Sequence, residues 1–63
     1  MLLEKIRKLC GENQMTINAL ENRIGVSHGT IARWGSFFPR ADRLKAAADV
    51  LGVTVDELLR EEE

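Results

Sequence analysis

The sequence predicts a compact all-α domain of five short helices, and three observations carry that prediction. Apolar residues recur, stretch after stretch, at the spacing of one helical face. Gly25, Gly52 and Pro39 punctuate the chain where helices should stop. Thr16, Ser27 and Thr54 stand where side-chain oxygens can cap the N–H groups of a first turn. The helices are expected at about 2–12, 16–24, 28–34, 41–51 and 55–61, in one domain spanning residues 1–63.

The first helix puts Leu2, Leu3, Ile6, Leu9 and Cys10 on one face and Glu4, Lys5, Arg7, Lys8 and Glu12 on the other. Asn13 should end it. The second begins at Thr16, with Met15 and Leu20 placed as a hydrophobic staple and Ile17, Leu20 and Ile24 turned inward. Gly25 closes it, because glycine enters the left-handed backbone region without steric cost. Ser27 then opens the third helix. Its inward stripe is Ile31 and Trp34, and His28, Gly29, Ala32 and Arg33 point outward. A short helix set sharply after its predecessor, with small and hydrogen-bonding residues outward, fits the second helix of a helix-turn-helix.

Pro39 biases Phe38 towards an extended conformation and separates the third helix from the fourth. The fourth places Ala41, Leu44, Ala47, Ala48 and Leu51 inward. Thr54 and Glu57 match a capping box at the head of the fifth, with Val53 and Leu58 as another staple. The fifth helix dissolves into Glu61-Glu62-Glu63, a solvated tail.

Sixty-three residues lie near the lower limit for independent folding, since a chain of that size buries only about 60% of its unfolded surface. One Cys and one His exclude an internal disulfide and a Cys/His zinc site. Cys10 reads as a buried structural thiol. No apolar run is long enough for a signal peptide or a membrane span, which leads to the expectation of a cytoplasmic protein with no membrane partner. The net charge of −1 hides an asymmetry: residues 1–55 carry eight Lys and Arg against five Asp and Glu, or +3, and the acid gathers after residue 55.

Helices joined through Ile24-Gly25-Val26-Ser27 resemble the lambda-repressor-like (Cro/cI-type) helix-turn-helix DNA-binding domain. The resemblance covers about residues 3–60. It rests on Gly25-Val26-Ser27, Thr30-Ile31-x-Arg33-Trp34, Pro39, and Leu51-Gly52-Val53-Thr54-Val55-Asp56-Glu57-Leu58-Leu59. Met15-Thr16-Ile17-Asn18-Ala19-Leu20-Glu21 together with Gly29-Thr30 looks like the regulators of Gram-positive bacteria and their prophages.

That resemblance implies a sequence-specific regulator of repressor type, or its isolated DNA-binding domain, which binds double-stranded DNA as a homodimer. It implies base-reading at His28, Gly29, Ala32 and Arg33, of which Arg33 can donate two hydrogen bonds to guanine O6 and N7. Phosphate contacts are implied at Thr16, Asn18, Thr30, Ser36, Arg40 and Arg43, and at the N-termini of the second and third helices. Three positions depart from the family: Ile17 where a polar residue often stands, Phe37-Phe38 in a loop that is usually polar, and Glu21 at the close crossing of the two helices. Glu21 is expected to lean out or to pair with Arg33 or His28.

Phe37 and Phe38 mark a candidate self-association patch, because two adjacent rings in a turn rarely both fold back. The alternative reading is therefore a self-associating or engineered interaction module on the same fold, with DNA binding weakened or lost. An enzyme is not expected. With no second His, no Cys pair and no Gly-rich loop before a helix, the sequence offers no catalytic constellation, no cofactor or metal site, and no small-molecule substrate.

Overall fold

The computed structural model describes residues 2–60. Four α-helices occupy α1 (Leu2–Glu12), α2 (Ile17–Ile24), α3 (Ala41–Leu51) and α4 (Val55–Leu59). A short 3-10 helix covers Ile31–Gly35, and the described residues contain no strand. The expected third α-helix, residues 28–34, is thus replaced by a tighter element that starts three residues later. The Glu61–Glu63 tail and the end of the last expected helix lie outside the described residues.

Two helix starts form as their threonines dictate. The Thr16 hydroxyl accepts the Ala19 N–H at 3.0 Å, and the Thr54 hydroxyl accepts the Glu57 N–H at 3.0 Å. The reciprocal half of the capping box at α4 does not form. Glu57 sends its carboxylate across to Lys5 Nζ, 3.3 Å away on α1. Lys5 is therefore 8% exposed rather than on the solvated face. Its stem runs along the apolar surface while its ammonium meets a carboxylate.

The core is Ile6, Leu9 and Cys10 of α1, Leu20 of α2, Ile31 and Trp34 of the 3-10 helix, Leu44, Ala47, Ala48 and Leu51 of α3, and Leu58 of α4. Leu2, Leu3, Met15, Ile17 and Ile24 pack around it, half-buried. Ala41, expected inward, is exposed, because it sits on the first turn of α3 before the helix reaches its neighbours. α2 lies on α3, α1 backs the 3-10 helix, and α4 crosses both α1 and α3. The 3-10 helix is thereby clamped from behind, and its outer side is left to solvent.

Candidate nucleic-acid interface

α2 ends at Gly25, whose φ of +79° belongs to the left-handed region. Its N–H reaches the carbonyls of Glu21 (2.9 Å) and Asn22 (3.3 Å), and the Val26 N–H returns to Glu21 O at 3.1 Å. These bonds satisfy the last carbonyls of the helix. The chain then turns through Ser27–Thr30, with the Thr30 N–H on the Ser27 carbonyl at 3.1 Å and Gly29 at φ +93°.

Ser27 does not act as a helix cap, and no side-chain hydroxyl caps the 3-10 helix. That work falls to Glu21. The residue is wholly buried. Its Oε2 accepts the N–H of Gly29 at 3.0 Å and the N–H of Ile31 at 2.9 Å. Oε1 is buried and has no hydrogen-bond partner. Glu21 thus neither leans out nor pairs with Arg33 or His28. A carboxylate can be buried when backbone donors replace water around it.

This arrangement corrects a second expectation. Free N–H groups were expected at the head of the third element, ready for a phosphate. The N–H groups of Gly29, Thr30 and Ile31 are all engaged inside the chain. Of Thr30, which is half-buried, only the hydroxyl remains to donate outward.

A 3-10 helix repeats every three residues, so residues i and i+3 eclipse. Ile31 and Trp34 therefore stack on one ridge, and both are buried. Ala32 takes a second ridge. Arg33 and the flanking Ser36 share a third. His28, Gly29, Ala32 and Arg33 are all exposed. Among the described residues Arg33 makes no ion pair or side-chain hydrogen bond, so its five guanidinium donors are uncommitted. His28 is tethered: its Nε2 lies 3.1 Å from Asn22 Oδ1 at the end of α2. With Nε2 donating, Nδ1 of the neutral ring is an acceptor.

The remaining expected contacts lie on other elements. Thr16 and Asn18 are exposed at the head of α2. The Thr16 oxygen is occupied as an acceptor, and its O–H can still donate. Ser36 is exposed after the 3-10 helix. Arg40 lies 3.8 Å from Asp42 Oδ1, both well exposed, and Asp42 Oδ1 also accepts the Arg43 backbone N–H at 2.8 Å. The Arg43 side chain has no partner among the described residues. Side-chain hydrogen bonds join Glu21 to Gly29 and Ile31, and separately Asn22 to His28. The side chains of Thr16, Asn18, Arg40 and Arg43 share no hydrogen bond with either set.

Phe37 and Phe38 are each 69% exposed, so neither ring closes over Trp34 or Leu44. The N–H groups of Ser36 and Phe37 both donate to Arg33 O at 2.8 Å, and Pro39 is buried. The loop is pinned at both ends with the two rings outside. No group of three or more His, Cys, Asp or Glu able to hold a metal ion occurs among the described residues. No helix there is long and apolar enough to cross a membrane.

Sequence reasoning singled out Glu21 but gave it Arg33 or His28 as partner rather than the backbone N–H groups of Gly29 and Ile31, and it passed over Asn22. The signal for Glu21 was present: it falls at the spacing of Ile17, Leu20 and Ile24, an acid on an inward stripe.

A family model described as the Cro/C1-type HTH DNA-binding domain matches residues 5–62. Comparison with curated proteins and with solved structures finds no match.

Proposed function

The chain belongs to the Cro/C1-type helix-turn-helix DNA-binding family, and on that premise we propose that it is a sequence-specific transcriptional regulator of repressor type, or the DNA-binding domain of one. Its partner is double-stranded DNA. The resemblance to regulators of Gram-positive bacteria and prophages suggests its setting, a bacterial cytoplasm.

The observation that carries this reading is Arg33. It is exposed, unpaired and mounted on a short helix whose opposite ridge is locked in the core. An arginine so placed can donate two parallel hydrogen bonds to a guanine in the major groove. His28 Nδ1 supplies one further acceptor. Gly29 and Ala32 leave room for close approach, and the Ala32 methyl suits a thymine methyl. The Thr16, Thr30 and Ser36 hydroxyls, Asn18 at the head of α2, and Arg40 and Arg43 are assigned to phosphates, which position the protein without reading sequence.

The test is selection of binding sites from a random duplex library at low salt. Arg33→Ala should cost about 1–3 kcal/mol and relax preference at one base pair. Arg43→Ala should weaken all sequences alike and flatten the salt dependence. An unchanged motif and affinity in Arg33→Ala would remove the 3-10 segment as the reader.

A charge of +3 on residues 1–55 neutralises few phosphates, so one copy should bind weakly at physiological salt. Two reading segments about 34 Å apart would sit in successive major grooves. Phe37 and Phe38 are the surface on which we place the homodimer contact. Two rings per copy make a patch well below the roughly 800 Å² per partner of a stable interface, so the dimer should be weak off DNA. Phe37→Ser with Phe38→Ser should leave the fold intact, abolish dimers in sedimentation at tens of micromolar, and loosen DNA binding. The same exposed rings favour the second reading, a self-associating module without DNA affinity. Association of the wild-type chain with no selectable duplex would establish that reading instead.

A further inference from the structure

We propose that Glu21 is the positioning residue of the DNA-reading segment: its buried carboxylate fills the anion-accepting backbone donors at the head of the 3-10 helix, fixes how His28 and Arg33 are presented, and denies those donors to phosphate. The proposal rests on the DNA-binding reading above and adds to it a residue that touches no DNA.

The backbone from Gly29 to Ile31 is otherwise held by the Thr30 N–H on the Ser27 carbonyl at 3.1 Å and by the buried Ile31 side chain. Gly29 is exposed with φ +93°, and no side-chain hydroxyl caps the segment. Two N–H groups, on residues 29 and 31, converge on one oxygen at 3.0 and 2.9 Å. Both donors must therefore face the same point, and that requirement sets the tight turn between them. The donors belong to one segment and the acceptor to α2, so the bonds also fix the angle between the two elements. Charge-assisted bonds of this kind are about twice as strong as neutral ones. The acid lies wholly inside the molecule, on the protein side of the donors, so a phosphate approaching from outside finds them already engaged.

A residue that merely stabilised the fold would, on removal, weaken every kind of DNA binding together. A positioning residue predicts a split. Glu21→Ala frees two N–H groups and removes one negative charge beneath the reading surface. Its preference for the selected site over random duplex should fall at least tenfold, while its affinity for random duplex at low salt should hold or rise. Glu21→Gln keeps an acceptor oxygen on the same stem and should retain most of the preference. Amide exchange at Gly29 and Ile31 should quicken at least tenfold more in Glu21→Ala than at Leu44 or Ala47.

If Glu21→Ala does not fold, the wild-type chain still decides the geometry. Through-bond couplings should appear across the hydrogen bonds from the Gly29 and Ile31 amide nitrogens to the Glu21 carboxyl carbon, and their absence overturns the proposal. A Glu21→Ala chain that keeps its site preference overturns it too, and leaves the DNA reading standing. A wild-type chain that binds no duplex, with the couplings present, overturns the DNA reading and with it the role given to Glu21 in recognition.

Discussion

At the head of α4 the cap comes from the neighbouring residue in the chain, whereas at the head of the 3-10 helix it comes from another helix. Thr54 bends three residues forward to the Glu57 N–H, in the open. Glu21 reaches eight and ten residues ahead, in the dark of the core, to Gly29 and Ile31. The local cap can form in an isolated peptide and orders one turn. The distant cap forms only once α2 and the 3-10 segment have met, so it orders the relation between two elements. The segment proposed to face DNA is thus held by the more cooperative of the two devices.

The largest test of this contrast is Glu21→Ala. It strands the buried Ile31 N–H, at about 1–3 kcal/mol, turns the Gly29 N–H at the surface over to water, and leaves a cavity where the side chain lay, partly offset because a buried charge with one bare oxygen is also removed. A net loss of about 2–4 kcal/mol is expected in a denaturant melt. A loss under about 1 kcal/mol would make the distant cap no stronger than a local one.

Gly25→Val should come next, at about 1–3 kcal/mol. No atom lies within 4 Å of the added Cβ, so the cost is purely that of forcing a β-branched residue to φ +79°. It sharpens the comparison by loosening the turn without touching either cap.

Thr54→Ala should cost about 1 kcal/mol, the ordinary worth of a threonine N-cap. Ser27→Ala, by contrast, should change stability by less than about 0.5 kcal/mol, because the Ser27 group in use is its carbonyl. Equal losses in these two melts would mean that Ser27 caps a helix in solution after all.

The same contrast explains what could be read from the sequence. The α1, α2, α3 and α4 spans were legible because their signals are local: apolar spacing, Thr16, Thr54, Gly25 and Gly52. Trp34 in the core and His28, Gly29, Ala32 and Arg33 at the surface were legible from periodicity, since a stripe of Ile31 and Trp34 fits both a 3.6-residue and a 3-residue helix. That ambiguity is also why residues 28–34 were expected as α-helix. Nothing local reports that the donors of Gly29 and Ile31 are claimed from α2. Ser27 carried the usual cap signature and lost to a stronger acceptor that packing delivered. Lys5 was misplaced for the same reason: its partner Glu57 sits at the far end of the chain, and only the fold brings α4 onto α1.

The lone thiol offers a clock. Cys10 is 2% exposed, and burial pushes its pKa up, which keeps it protonated and unreactive while the core is closed. A thiol reagent can meet it only when α1 parts from its neighbours. The pace of its modification by such a reagent, without denaturant, would therefore report how often the molecule opens. Repeated with a bound duplex, the same measurement would give the time that DNA keeps the core shut.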